Sequence, residues 1–184
     1  MDYLECYRKL DLYLREGIVE FQGTEYQDII NNLIDHAEKI SMDSTCCKIR
    51  KSALLFTTTG VLSGRANMNL IKTCDGVCRI DTMCKTRLND CDMCTTTDPL
   101  LSTMLYCRDC RNIVNSNVLI YAFDKEKQRI VSDITPSREA IREAAMMGVS
   151  NLLTVNEDRT VTIIPLSKRD GDTCTYSEYV YKNI

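Results

Sequence analysis

The first apolar residues of the chain recur with the period of an α-helix. Four of them are spaced by three or four positions and therefore share one helix face. They are Tyr3, Tyr7, Leu10 and Leu14. Gly17 is a suitable stop for such a helix, because glycine disfavours a helix interior. The pattern predicts an amphipathic helix that ends shortly before Gly17.

A second helix is predicted from the residues that follow Thr24. Thr24 is a favourable N-cap, and Gln27, three residues later, can complete a capping box. The apolar residues after this cap form one stripe with helical spacing. They are Tyr26, Ile29, Ile30, Leu33, Ala37 and Ile40. We therefore expect this helix to pack its apolar stripe against the core.

A third helix is predicted between Ser44 and Phe56, and residues 57–60 are typical of its end. Lys48 and Lys51 are expected on its exposed side. Its expected buried face consists of Cys46, Ile49, Ala53 and Phe56. The span 61–73 has no clear period and yields no prediction. Residues 1–60 are therefore expected to form a helical region.

Beyond the cysteine-rich part, the pattern changes to short apolar runs that favour strands. Val118–Phe123 and Arg129–Ile134 are two such runs, and residues 124–128 between them are typical of a hairpin turn. Leu152–Val155 and Thr160–Ile164 repeat this arrangement nearer the C-terminus. Two β-hairpins are therefore predicted.

One more helix is predicted between the two hairpins. Thr135 can cap it, Pro136 suits its first turn, and Gly148 is a natural stop. A final strand is expected around three tyrosines, which are Tyr176, Tyr179 and Tyr181. Residues 116–184 are thus predicted to form an α/β region with a ββαββ-like order.

The predicted fold class is α+β. It consists of the helical region 1–60, a cysteine-rich zinc-binding region 61–115 and the α/β region 116–184. Residues 74–110 have neither periodicity nor enough apolar residues for a core, so we expect bound metal to staple this middle part together. No low-complexity linker separates the three regions, and we expect them to pack as one compact body.

The N-terminus and the apolar segments indicate the cellular compartment. Asp2, Glu5 and Asp11 lie where a signal peptide requires positive charge. No stretch reaches the roughly 20 apolar residues of a membrane span. We therefore expect a cytoplasmic or nuclear protein with no membrane partner. In such a reducing compartment, clustered cysteines indicate metal binding more often than disulfides.

Seven of the 11 cysteines lie within residues 74–110. Four of them form two CxxC pairs, which are Cys91 with Cys94 and Cys107 with Cys110. Each pair can direct two sulfurs to one ion, and Asp98 with Pro99 supplies a turn signal between the pairs. The pairs resemble the knuckles of many zinc-ribbon proteins over about 20 residues, without the glycine that commonly follows the second cysteine. The sequence predicts a structural Zn²⁺ site and no particular function from this resemblance.

A second zinc site is a further hypothesis. Its three ligands would be Cys74, Cys78 and Cys84, and their spacing does not identify a fourth. The candidates for the fourth ligand are Cys6, Cys46, Cys47, Cys174 and His36. The sequence also leaves open an interleaved arrangement, in which the two sites exchange ligand pairs. The sequence nevertheless favours His36 as a partly exposed helix residue, and Cys46 and Cys47 as core residues, over metal ligation.

The sequence argues against an enzyme. An all-cysteine zinc site is closed and structural, whereas catalytic zinc keeps an open position and usually has His or carboxylate ligands. His36 is the only histidine, so a pair of nucleophile and histidine would depend on it alone. The GxxxxGKS/T, GxGxxG and HExxH motifs are absent. We therefore expect neither catalysis nor a small-molecule substrate.

Two binding functions remain. The first is a protein-interaction or assembly module, in which zinc stiffens a surface that contacts a protein partner or a second copy of the chain. The alternative is a nucleic-acid-associated zinc protein such as a transcription accessory factor. It depends on a basic segment beside the cysteines, although the net charge of the whole chain is −3. The basic residues are Lys48, Arg50, Lys51, Arg65 and Lys72.

Overall fold

The computed structural model describes residues 3–15, 26–69, 96–108, 110–132, 134 and 136–166. These residues form a mixed α+β fold with four α-helices, a 3-10 helix (Cys110–Ile113) and a six-stranded sheet. The α-helices are α1 (Tyr3–Arg15), α2 (Gln27–Ser41), α3 (Pro99–Leu105) and α4 (Arg138–Met146). The strands are β1 (Ile49–Thr57), β2 (Gly60–Ala66), β3 (Asn117–Asp124), β4 (Arg129–Ile130), β5 (Asn151–Val155) and β6 (Val161–Pro165). Within these described residues, none of the helices is long and apolar enough to cross a membrane.

The sheet has the strand order β2-β1-β3-β5-β6, and β4 pairs with the end of β3. Neighbouring strands are antiparallel except for β3 and β5, which are parallel. Parallel strands need a crossover connection, and the chain between β3 and β5 contains β4 and α4. β1 lies inside the sheet, paired with β2 on one side and with β3 on the other.

Helices cover both faces of the sheet. Successive residues of a strand point to opposite sides, so β1 contributes to two apolar cores. Leu54 and Phe56 belong to the core that contains residues of α1 and α2. Ala53 and Leu55 belong to the core that contains residues of α3 and α4. The described residues therefore form three layers, with the sheet between two pairs of helices.

The helix predicted between Ser44 and Phe56 is wrong, because Ile49–Thr57 is strand β1. Residues 52–56 are buried without interruption, since helices cover both faces of this strand. A strand of this kind has a continuous apolar run in its sequence, which periodicity does not distinguish from a buried helix. Strand β2 follows in a span for which the pattern makes no prediction.

The apolar stripes predicted for α1 and α2 are confirmed. The stripe residues with buried side chains are Tyr7, Leu10, Leu14, Ile30, Leu33 and Ala37. α2 begins at Gln27 with Tyr26 at its N-cap position. Thr24 and Gly17, the predicted cap and stop, lie outside the described residues.

Both predicted hairpins and the helix between them are confirmed, with different ends. β3 pairs with β4, which has two residues, and β5 pairs with β6. The N-cap of α4 is Ser137 and not Thr135, because the Ser137 hydroxyl accepts a hydrogen bond from the Ala140 amide at 3.2 Å. Gly148 follows the helix with a φ of 87°, a conformation that favours glycine. The tyrosines Tyr176, Tyr179 and Tyr181 lie outside the described residues.

Candidate functional site

The second CxxC pair begins directly after the end of α3. Tyr106 is the C-cap of this helix, and the Cys107 amide donates a hydrogen bond to the Met104 carbonyl at 3.1 Å. The half-buried Cys107 side chain packs against the core on the α3 side of the sheet. The backbone of Cys110 begins the 3-10 helix, which ends at the fully buried Ile113. The turn that carries this pair is therefore anchored to the core on both sides.

The other cysteines of the predicted zinc sites lie outside the described residues. They are Cys74, Cys78, Cys84, Cys91 and Cys94. Within the described ranges, no group of three or more His, Cys, Asp or Glu side chains is arranged to hold a metal ion. The predicted four-cysteine site and the predicted second site both remain predictions.

The two ends of the cysteine-rich segment 70–95 lie side by side. Asn69 and Thr96 form an antiparallel β-bridge. Next to it, the Thr97 amide donates to the Met68 carbonyl at 2.8 Å, and the Met68 amide donates to the Thr97 hydroxyl at 3.1 Å. The Asn69 amide donates to the Thr45 hydroxyl at 2.6 Å. We call Thr45, Asn67, Met68, Asn69 and Thr97 the polar clamp.

Asn67 attaches the polar clamp to the sheet. Its side chain is buried, and its Oδ1 atom accepts hydrogen bonds from the Ser44 hydroxyl at 2.6 Å and from the Lys51 amide at 2.7 Å. Its Nδ2 atom donates to the Ile49 carbonyl at 3.1 Å. Lys51 and Ile49 belong to β1, so the clamp is joined to an interior strand of the sheet.

α3 lies between the two predicted CxxC pairs, so the turn expected at Asp98 and Pro99 is a helix start. Asp98 is the N-cap: its Oδ1 atom accepts from the Leu100 amide at 2.8 Å and from the Leu101 amide at 3.4 Å. Asp followed by Pro is a favourable N-cap and first helical residue, and this signal could have predicted α3. The seven residues of α3 rise about 10 Å.

Two candidate fourth ligands lie on the helices that cover the opposite face of the sheet. His36 is exposed on α2, as the sequence predicts for a residue outside the core. Cys6 is half-buried on α1. Neither helix belongs to the layer that contains α3 and Cys107. A third candidate, Cys174, lies outside the described residues.

Cys46 and Cys47 are the candidates nearest in sequence to the polar clamp. Both are half-buried in the loop that precedes β1, so the helix position predicted for them is wrong. They directly follow Thr45, whose hydroxyl and carbonyl both accept hydrogen bonds from Asn69. This contact brings the loop next to the start of the cysteine-rich segment.

Two residues of the predicted basic surface lie on opposite faces of the sheet. The Arg50 guanidinium lies 4.2 Å from the ring centre of Phe123, which packs against the α1 and α2 core. The Arg65 guanidinium lies 4.9 Å from the ring centre of Tyr106, at the end of α3. These two arginines therefore cannot contact a ligand together on one face.

The remaining basic residues are also divided. Lys51 is next to Arg50 in β1, so its side chain points to the opposite face. Lys48 is half-buried in the loop before β1, and Lys72 lies outside the described residues. Arg65 is paired with Ala53 of β1 and therefore shares a face of the sheet with Lys51, whereas Arg50 lies on the opposite face.

Large apolar side chains are exposed where α3 and α4 end. They are Leu105, Tyr106, Val114 and Met146, with exposed fractions from 55% to 78%. The two helices begin together, because the Ser137 hydroxyl donates to the Asp98 carboxylate at 3.3 Å. At the other end, the Asn115 amide donates to the Gly148 carbonyl at 2.8 Å, which joins the turn after the 3-10 helix to the end of α4. We call the four exposed residues the apolar end surface.

The β5–β6 turn forms a polar cleft with hydroxyl, amide and carboxylate groups. It is lined by Ser132, Asn156, Glu157, Asp158, Thr160 and Thr162. The Asp158 carboxylate accepts hydrogen bonds from the hydroxyl and amide of Thr160, which lower the pKa of this carboxyl. The Asn156 side chain donates to the hydroxyls of Thr160 and Thr162. These groups stabilise the turn itself.

Comparisons with known proteins do not assign a function. No protein-family model, curated protein or solved structure matches the chain. The function therefore has to be argued from the residues of this chain.

Proposed function

We propose that this chain is a non-enzymatic zinc-binding protein that acts as a protein-interaction or assembly module in the cytoplasm or nucleus. The apolar end surface supports this proposal most directly, because it adjoins a predicted zinc knuckle. Tyr106 immediately precedes Cys107, and Val114 directly follows the 3-10 helix that begins at Cys110. Exposed apolar clusters of this kind are typical of sites that contact other proteins.

The zinc ion would be bound by thiolates of the two CxxC pairs. These are Cys91, Cys94, Cys107 and Cys110, and Cys74, Cys78 and Cys84 would contribute to a second site. Soft thiolate ligands suit Zn²⁺, and a closed set of four gives the ion a structural role. Such an ion would staple the cysteine-rich segment, which has few apolar residues for a core, to α3 and the sheet.

The composition of the apolar end surface suits protein recognition. It combines an aromatic ring and aliphatic side chains with Arg65, whose guanidinium stacks on the Tyr106 ring. Tyrosine and arginine are enriched among the residues that dominate binding free energies. Zinc bound beside Tyr106 would hold this surface rigid, and a rigid surface loses less conformational entropy on binding.

A nucleic-acid partner is the second candidate, and the same pair of residues favours it. An exposed tyrosine stacked with an arginine can also receive an unpaired base. Arg108 is exposed two residues after Tyr106 and adds positive charge for a phosphate. The position of Arg50, on the opposite face of the sheet from Lys51 and Arg65, counts against a broad basic surface.

The test is a double variant of the apolar end surface, Leu105→Glu with Met146→Glu. Both side chains are more than two-thirds exposed, so the fold should tolerate the change. Light scattering would measure the mass of the purified protein, and cross-linking mass spectrometry would locate contacts in affinity-purified complexes. We expect the variant to weaken self-association or partner binding about tenfold or more, because buried charge opposes apolar contact.

The matched control is Leu4→Glu with Leu12→Glu, which introduces the same charge at two exposed positions of α1. α1 lies on the opposite face of the sheet, so the control should keep the wild-type mass and contacts. If the double variant behaves like the control, the proposed surface is wrong. Nucleic acid in place of protein in the purified complexes would favour the second candidate.

A further inference from the structure

Exposed arginines lie beside the apolar end surface. Arg108 follows Tyr106 by two residues, just after the end of α3. Arg142 is exposed on α4, four residues before Met146, and residues four apart on a helix are neighbours on its surface. Among the described residues, the ion pairs involve neither Arg108 nor Arg142. Both guanidinium groups can therefore pair with a partner.

Close packing joins the turn after the 3-10 helix to the end of α4. A side chain at Gly148 would meet the Val114 Cα atom at 3.2 Å, so Val114 lies directly against this end of the helix. Met146 is the last residue of α4, two positions before Gly148. Val114 and Met146 therefore belong to one patch, and Arg142 lies next to it.

The charge around the apolar end surface is opposite in sign to that of the whole chain. The net charge of the chain is −3. The exposed arginines of the surface are Arg65, Arg108, Arg111 and Arg142. Three acids lie within four residues of these arginines in the sequence, namely Asp109, Glu139 and Glu143, and Asp109 lies outside the described residues. Positive charge thus exceeds negative charge beside the exposed apolar side chains.

This charge argues against a second copy of the chain as the partner. A symmetric dimer places the same patch of both copies face to face, so the arginines of one copy would meet those of the other. Like charges that face each other across an interface oppose association. The surface is instead complementary to a partner of the opposite charge.

The apolar side chains argue for a protein and against a nucleic acid. Phosphates would pair with the arginines, but they offer no apolar contact to Leu105, Val114 and Met146. A protein segment that contains aliphatic side chains and carboxylates can complement both parts of the surface.

We propose that the apolar end surface binds an acidic segment of a different protein. The aliphatic side chains of that segment contact Leu105 and Met146. Its carboxylates pair with Arg108 and Arg142, because the guanidinium group forms bidentate hydrogen bonds with carboxylates. This inference rests on the protein-interaction function proposed above and does not depend on the zinc sites.

Three labelled synthetic peptides of equal length test the inference on the purified full-length protein. The first combines leucine with glutamate, the second leucine with lysine, and the third serine with glutamate. Fluorescence anisotropy measures the Kd of each peptide. We expect the leucine–glutamate peptide to bind at least about tenfold more tightly than the other two, because it alone offers both carboxylates and apolar contacts.

The central variant is Arg108→Glu with Arg142→Glu. It should weaken binding of the leucine–glutamate peptide about tenfold, because two attractive charge pairs become repulsive. The matched control is Arg8→Glu with Lys39→Glu, which makes the same change of charge at exposed positions of α1 and α2, on the opposite face of the sheet. The control should keep the wild-type affinity. If the central variant fails to fold, Arg108→Gln with Arg142→Gln removes the two charges and takes its place.

Equal affinity for the two leucine peptides, or binding of neither, would overturn the inference. A dimer that Leu105→Glu with Met146→Glu dissociates would overturn it in favour of a second copy. Tighter binding of a single-stranded oligonucleotide than of the leucine–glutamate peptide would overturn it in favour of nucleic acid.

The same variants separate this inference from the proposed function. If Leu105→Glu with Met146→Glu releases the protein partners and reversal of the two arginines does not, the surface binds protein and the acidic partner is wrong. If neither variant changes these complexes, the proposed interaction surface is wrong as well.

Discussion

Tyr121 is the largest fully buried side chain of β3, and its ring lies in the core between the sheet and the α1 and α2 helices. Burial, and after it the negative charge of Glu38, raises the pKa of Tyr121 from 10.0 to about 12. No described residue is placed to form a hydrogen bond with the Tyr121 hydroxyl, but the Glu38 carboxylate is close enough for its charge to raise this pKa. The fold therefore favours the neutral phenol.

This shift makes stability depend on pH in a defined window. The folded-state pKa of Tyr121 lies above that of the unfolded chain, so its contribution is complete below about pH 10 and is lost between about pH 10 and 12. Tyr121→Phe removes the ionisable group. The free energy of unfolding of the variant minus that of wild type should be higher at about pH 11 than at about pH 9, by on the order of 1 kcal/mol. Urea unfolding at both pH values measures this, and a pH-independent difference would contradict the assigned pKa.

The directions of individual charged side chains could not be predicted from the sequence. In the predicted helix, Lys48 and Lys51 share an exposed side, whereas in strand β1 Arg50 and Lys51 point to opposite faces. The sequence places these charges close together along the chain, which makes them look like one basic surface. Their separation depends on the type of element and on the layers above and below it.

α3 is too short for a helical period to be detected in its sequence. Its seven residues make two turns, too few to establish a helical repeat in a segment dominated by cysteines and polar residues. The sequence signal for α3 is its N-terminus, because Asp98 and Pro99 together specify a helix start. The longer helices α1 and α2 have stripes that extend over three or four turns, and these were predictable.

The cap of α3 gives an element-scale prediction. Asp98 accepts from two amides of α3 and, through its other oxygen, from the Ser137 hydroxyl that caps α4. Asp98→Ala should lower the free energy of unfolding by about 1–2 kcal/mol, because these donors lose their acceptor. Asp98→Asn keeps a capping oxygen and should cost only a fraction of this. Denaturant unfolding of both variants tests the assignment, which equal losses would contradict.

At the scale of the whole fold, the described residues are organised around one sheet with a core on each face. Buried side chains form a series of hydrogen bonds on the face that α1 and α2 cover. The Asn117 side-chain amide donates to the Asp11 carboxylate of α1 at 3.1 Å, and the Asn151 side-chain amide donates to the Asn117 side-chain oxygen at 2.7 Å. It links α1 to the parallel pair β3 and β5. The predicted zinc knuckle lies on the other side, at the end of α3, next to the apolar end surface.

The sequence predicts a ligand chemistry for the candidate site but not the arrangement of the ligands. The CxxC spacing indicates the ligand type at Cys107 and Cys110, because neighbouring thiolates are needed for one ion. The pairing of these cysteines with others depends on the path of the chain between the two CxxC pairs, which contains α3, and on contacts such as that between Thr45 and Asn69. Such long-range contacts have no local signature in the sequence.

Metal content per chain tests the central claim most directly. Elemental mass spectrometry of natively purified protein should find one or two zinc ions per chain. In parallel, alkylation of Cys107 and Cys110 should be slow until a chelator is added, because metal-bound thiolates are protected. A zinc content far below one ion per chain, with alkylation of both cysteines unchanged by the chelator, would contradict the account.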